Sequence, residues 1–306
     1  MVSRIFFSVL FLVGLSLSSF AQAETESTQY DPLSSQYIPR YEQHYKYRVW
    51  WNFDLTEKQN KGFFANRAEL SRFIIDAVKS GEIENVYHPL DDSLLRILPK
   101  EEFNTKLVRE AAAVVEVWDP DIDYYSGDLV SYNGKTYSSI FDDNYSQNPE
   151  ETAGDMWELA QNAGAAQVFD ASEITKLQIM EDIIFDRRRS RVYHDILGIK
   201  LIIPGTVHFS GNDDPVCYIR YQDLEKAFRN NPEKAVWFNR YNQAQHKNFA
   251  DAFLLRLFHL TLHEVENPDS QSIFDIYAAG GRDEAVMATV WEEMKLMEKE
   301  HNLWEY

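Results

Sequence analysis

The chain has 306 residues, of which 44% are hydrophobic and 14% aromatic; this is material for one substantial domain and a smaller one, and it excludes a disordered polymer. A formal net charge of −19 sets the chain against nucleic acid and anionic lipid headgroups and leaves proteins or neutral polymers as partners. The lone Cys217 excludes an internal disulfide framework.

In chain order, residues 1–23 read as a removable export signal. Arg4 is its basic start, 5–20 its apolar run, and Ala21-Gln22-Ala23 its small-residue site, with cleavage after Ala21 or after Ala23. The run is too short for a comfortable transmembrane helix, and no cysteine lies nearby to carry a lipid anchor. The mature protein is expected to be exported and soluble. Residues 24–43 are polar and proline-containing and read as an extended arm. In YKYRVWWNFDLTEKQNK, Arg48, Trp50 and Asp54 accompany a strongly apolar stretch. A helix follows. Asn66 and Glu69 have capping-box spacing, Leu70, Phe73, Ile74, Ala77 and Val78 share one face, and Gly81 ends it. A short strand and a turn then lead to a further helix from about Lys100.

Between these blocks and the next lies residues 117–160, with turn signals at Gly127-Asp128 and Asn133-Gly134 and aromatic residues throughout. Asn133-Gly134 predicts a type I′ hairpin flanked by Leu129, Val130, Tyr132 and Tyr137. Beyond it, alternating Leu177, Ile179, Ile183 and Phe185, the polar turn 187–190 and the β-branched return 191–203 predict a second hairpin, with Gly198 as a bulge and Pro204-Gly205 as its stop.

The C-terminal third reads as helical. A short helix over 223–230 stops at Pro232, and a second, marked by Phe249, Phe253, Leu254, Leu257 and Phe258, runs to Asn267-Pro268. After Gly280-Gly281 comes a last helix with Val286, Val290, Trp291, Met294 and Met297 in one stripe. The terminal Trp304 and Tyr306 imply a docked chain end. Strands grouped centrally and helices at the end predict an α+β fold. Its central hairpin and small sheet belong to a main domain over 44–116 and 161–306, interrupted by an all-β module at 117–160.

Several of these patterns resemble, in the same order, those of the gliding-motility and type IX secretion ring protein family GldN/PorN. They are Arg48 to Asn60 (R-x-W…E-K-x-N), Glu181-Asp182 with Phe185-Asp186 ahead of a basic turn, Asn239 with Asn242, Phe253 with Arg256 and Phe258, Glu266-Asn267, and the ending EHNLWEY. The resemblance implies a non-catalytic, cofactor-free periplasmic subunit at the inner face of the outer membrane. It also implies self-association in a ring, an outer-membrane lipoprotein partner of the GldK/PorK family, and coupling to inner-membrane motor components.

The segment 117–160 instead resembles the small carbohydrate-binding, chitin-binding-like modules appended to chitinases. Trp118, Tyr124, Tyr137 and Trp157 are its candidate sugar-stacking residues, or else the core of the module; aromatic faces serve both uses. Ile140-Phe141-Asp142-Asp143 replaces the adjacent aromatic pair of those modules. A carbohydrate- or cell-wall-binding adaptor is therefore the alternative function.

Other constellations are read as structural. His259 and His263 fall at i, i+4 on the expected helix, but the order is HLTLH, without the intervening glutamate or a third ligand of a zinc site. Asp119, Asp121 and Asp123 lack the glycine and glutamate of a calcium loop. Arg187, Arg188 and Arg189 form a basic cluster that is either a docking patch or a solvated turn; with Trp291, Trp304 and Tyr306 they are the candidate partner-interface residues. No phosphate loop or nucleophile motif is present.

Overall fold

A twelve-residue strand sets the frame, because VWWNF and its neighbours are β-branched and aromatic and fit a pleated surface. In this computed structural model the described residues are 30–303, apart from 37, 111–114, 161–166 and 209; the expected export signal, Trp304 and Tyr306 lie outside them. Two units are present, residues 1–100 with 171–306, and residues 101–170.

The larger unit is built from β1 (Gln43–Asp54), α1 (Leu70–Ser80), β2 (Val86–Tyr87), β3 (Ile97–Leu98), β4 (Lys176–Asp186), β5 (Arg191–Ile203), β6 (Asp214–Arg220), α2 (Tyr221–Asn230), α3 (Phe249–Leu254), β7 (Thr261–Val265), α4 (Ile273–Ile276) and α5 (Arg282–Asn302). The strands form one sheet in the order β7-β1-β4-β5-β6-β2-β3, and the fold is α+β. The expected hairpin is its centre. β4 pairs along its whole length with β5 on one side and β1 on the other, so that Phe53 faces Leu177 and Leu177 faces Leu201. The register slips between Met180 and Glu181, where Gly198 and Ile196 are the successive partners, which puts the bulge at Leu197 beside the predicted glycine.

Simple alternation fails on β4. Every residue from Leu177 to Asp186 is buried, because the strand is central and both of its faces are covered. On one face, Phe53, Phe63, Phe253 and Phe258 pack edge-on and tilted, with Phe53–Phe63 centroids 5.4 Å apart and Phe63–Phe253 centroids 5.2 Å apart, and Phe249 stacks on Phe63 at 5.6 Å; such pairs add about 0.5–1.5 kcal/mol each beyond area burial. On the other, Trp50, Tyr87, Leu94, Met180, Leu197 and Tyr218 form a second cluster.

α1 buries Leu70, Phe73, Ile74, Ala77 and Val78 and ends at Gly81 in the left-handed conformation (φ 84°), as its pattern predicts. The capping box does not form. Glu69 is itself the N-cap, and its carboxylate accepts the Arg67 amide (2.9 Å) and pairs with Arg72 (2.7 Å) instead of serving Asn66.

The largest departure is in the C-terminal third. α3 stops at Leu254, and residues 261–265 form β7, an edge strand on β1 with Val49 opposite Val265 and Asn52 opposite Thr261. Arg256 takes a left-handed turn (φ 50°) and ends the helix. Unpaired hydrogen-bonding groups along β1 outweigh the helical propensity of LLRLF, since a strand edge gains a ladder of bonds from each added segment. His259 and His263 therefore do not share a helix face.

In the smaller unit, a helix (Lys100–Lys106) leads to Val108–Glu110, which pairs with Gln167–Val168 and brings the two ends of the unit side by side. Arg109 stacks on Phe169 at 4.8 Å. A four-stranded sheet is centred on Leu129–Tyr132 and Lys135–Ser139. Their loop is Asn133 (φ 50°) and Gly134 (φ 74°), the two positive-φ residues that a type I′ turn requires.

Candidate interaction surface

α5 has two unlike faces. Ala285, Ala288, Thr289 and Leu296 turn inward, and Ala288 and Leu296 join Val49, Ile183, Leu262 and Ile273 in one buried cluster. Small residues on the inner face let the helix lie close to the sheet. Acidic Asp283 and Glu284 in the first turn and Lys299 and His301 in the last complement its dipole. Lys299 reaches the Tyr47 ring at 4.4 Å and pins the far end to β1, while Glu293 accepts the Leu262 amide at 2.9 Å.

The outer face carries the large apolar side chains. Val286, Met287, Val290, Trp291, Met294 and Met297 are all exposed, Trp291 at 56% and Met294 at 58%. The stripe predicted from helical spacing therefore exists but points away from the core. Phe274 and Ile276 of α4 are exposed beside it, and a shallow depression of about 500 Å³ between the two helices is lined by Phe274, Ala278, Gly281, Arg282, Ala285 and Val286. A run of apolar side chains this long on a water-facing helix costs solubility without gain unless another surface covers it.

The basic cluster has a different setting. Asp186 is fully buried and caps the turn, accepting the amides of Arg188 (2.8 Å) and Arg189 (3.1 Å) and pairing with the Arg189 guanidinium at 2.6 Å. Arg188 is 3.3 Å from Glu42. Arg188 and Arg189 thus neutralise carboxylates of their own chain, and Arg187 is exposed.

Three of the four aromatic residues assigned to sugar stacking have no ring face to offer. Tyr124, Tyr137 and Trp157 form the core of the smaller unit with Val130; Trp157 is 0% exposed and donates its indole N–H to Gln147 O at 3.0 Å. Trp118 is half-buried and packs edge-on against Tyr132 at 5.4 Å. A unit of this size has few apolar residues, so its largest rings are drawn inside. The exposed aromatics there are Tyr125, Phe141 and Tyr145, which composition alone does not distinguish from core residues.

Several of the motif residues singled out along the chain meet in joints of the fold. Glu181 is fully buried and bound by the Arg256 guanidinium, Nη2 lying 3.3 Å from Oε2 and Nη1 closer to Oε1, with His194 Nδ1 at 3.5 Å. Asp182 receives Arg48 through two bonds (2.7 and 3.0 Å) and Lys46 at 2.6 Å. Asp195 holds Ser34 and the Ser35 amide, tying the arm to β5. Asn60 is buried and exchanges two hydrogen bonds with the backbone of His259, and Asn267 organises the turn after β7 through the amides of Asp269 and Gln271.

Burial by itself pushes the Glu181 carboxyl up, but His194 and the Arg256 charge more than offset it and hold it below its ordinary value of 4.5. A carboxyl depressed in the folded state stabilises above its unfolded value, and that stability is lost as pH falls through the lower folded value. Wild-type protein is therefore expected to exceed Glu181→Gln in urea midpoint at neutral pH, with the gap closing under acid. A gap that widened on acidification would contradict this.

A second cavity, of about 460 Å³, opens over the sheet between Asn52, Asp92, Gln178, Lys200, His263 and Glu264. Burial pushes Lys200 down and Glu264 up. Both charge signs are mixed there, and among the described residues no group of three His, Cys, Asp or Glu side chains is placed to hold a metal ion. No described helix is long and apolar enough to cross a membrane.

The family model for "Gliding motility associated protein GldN" matches residues 38–305. No curated relative matches the chain.

Proposed function

Because this chain belongs to the GldN gliding-motility family, we propose that it is a structural subunit of the periplasmic ring of the type IX secretion and gliding machinery. In this reading it is held beneath the outer membrane by a lipoprotein of the GldK/PorK family and coupled to inner-membrane motor components. The observation that carries the reading is the outer face of α5, a water-facing apolar stripe on a helix whose other face is committed to the core. A ring needs contacts that repeat from subunit to subunit, and an uncovered apolar face on a rigid helix suits such a contact. Several motif residues support it differently: Arg48 with Asp182, Glu181 with Arg256, and Asn60 with the His259 backbone each close a joint within the subunit, as a part that transmits force requires.

The test is deletion with complementation. Cells lacking the protein are expected to lose gliding and type IX export, and wild-type chain to restore both. Tagged protein is expected to co-fractionate with the lipoprotein in a very large envelope species, its N-terminus at Gln22 or Glu24. Intact gliding and export in the deletion strain, with a monomer in envelope extracts, would remove the reading. The adaptor alternative is not carried forward, since three of the four rings it relied on, Tyr124, Tyr137 and Trp157, are buried in the core of the smaller unit.

A further inference from the structure

The exposed stripe of α5 has a register as well as a composition. Met287, Val290, Met294 and Met297 follow one another at steps of three, four and three residues, the a and d positions of two successive heptads. The helix cannot rotate to bury them, because Ala285, Ala288, Thr289 and Leu296 already hold the opposite face in the core. Over the seam, about 16 Å at 1.5 Å per residue, α5 presents a ready-made half of a helix pair.

The flanks say what the other half is. The e positions are Glu284, Trp291 and Glu298, and the g positions are Val286, Glu293 and Glu300; Asp283 precedes the seam. No e or g position is basic. Lys295 and Lys299 sit on the rear of the seam, Lys295 over the Trp291 ring at 4.0 Å and against Glu292 at 2.7 Å, Lys299 over Tyr47. Glu293 and Glu300 are engaged within the subunit, on the Leu262 amide and 3.9 Å from His194, so the free flanking charges are Glu284 and Glu298. A second copy of α5 brings no basic flank to meet them, and in an antiparallel pair it sets Glu284 against Glu298. Like charges at these positions set partner choice, and the chain as a whole carries −19.

We propose that the outer face of α5 docks an amphipathic helix of a different protein, with an apolar a/d stripe flanked by lysine or arginine. Trp291, fixed by Lys295 on one side, is the anchor at the centre of the contact. The three methionines adapt to the incoming side chains, because thioether side chains repack at low cost. Glu284 and Glu298 meet the partner's basic flanks. The proposal rests on the reading of this face as the assembly surface and adds the chemistry of its occupant.

The test uses the mature full-length protein and three labelled synthetic helical peptides, followed by fluorescence anisotropy. The first has leucine at a and d with lysine at e and g, the second leucine with glutamate, and the third serine with lysine. The first is expected to bind at least tenfold more tightly than either of the others and to weaken as salt is raised. Trp291→Ala and Met294→Asp are each expected to weaken it at least tenfold with unchanged circular dichroism and melting temperature, since both side chains are exposed. Equal binding of the glutamate peptide, equal binding of the serine peptide, or no binding at all would overturn the proposal. So would a dimer in sedimentation that Met294→Asp dissolves, because a second copy would then be the occupant. The two readings fail separately. Loss of gliding in Met294→Asp cells without peptide discrimination removes only the basic-helix occupant, whereas peptide discrimination in a protein whose deletion spares gliding and export removes only the machinery.

Discussion

Arg256→Met is expected to destabilise the larger unit by about 3–5 kcal/mol, the loss that follows when one partner of a buried ion pair is removed and the other is left in the interior. Glu181 is 0% exposed and sits on β4 at the centre of the sheet, so water cannot reach it without opening the fold. Arg256 comes from the left-handed turn after α3, far along the chain. The pair thus ties the helical region to the hairpin. Urea unfolding followed by tryptophan fluorescence measures the effect directly. The double substitution Glu181→Met with Arg256→Met is expected to recover most of the loss, because apolar residues of similar volume replace buried ion pairs at little or no cost. A midpoint unchanged in the single variant would mean that the carboxylate reaches solvent after all.

Trp157→Ala is expected to unfold the smaller unit. Truncating a fully buried tryptophan costs about 3–5 kcal/mol, and a domain of ordinary stability has only about 5–15 kcal/mol in total. The core here is Tyr124, Val130, Tyr137 and Trp157, with Trp118, Tyr132 and Met156 against it. Losing the largest member also removes the bond to Gln147 and the edge-on contact with Tyr124 at 5.4 Å. Limited proteolysis should cut within 101–170 in the variant and not in wild type, while the larger unit keeps its unfolding transition. Trp118→Ala, at a half-buried site, should do much less. Equal resistance of Trp157→Ala and wild type would mean that the unit does not depend on this core.

Much of the fold was legible where local chemistry and tertiary packing agree. The central hairpin followed from its β-branched run and polar turn, α1 from one apolar face and a closing glycine, and the type I′ turn from Asn133-Gly134. The family was legible from the order of short patterns, and the match over 38–305 agrees with it. Arg48 and Asp182, and Glu181 and Arg256, all part of those patterns, meet in the folded chain, although nothing in the sequence pairs them.

What only the tertiary structure decided are choices in which two good local answers compete. LLRLFHLTLHEV is apolar and periodic enough for a helix, yet its second half became β7 because β1 offered a free edge. The aromatic residues at 118–157 suit a sugar platform or, the commoner use, a core, and the scarcity of apolar material in a small unit sent three of them inside. In α5 periodicity located an apolar stripe but not its direction. The sheet took the alanine-lined side, on which a helix backbone can approach closely, and left the methionines and Trp291 in water. A sequence determines which faces a segment has; which face is buried depends on the neighbour that reaches it first, and that neighbour is set by the whole fold.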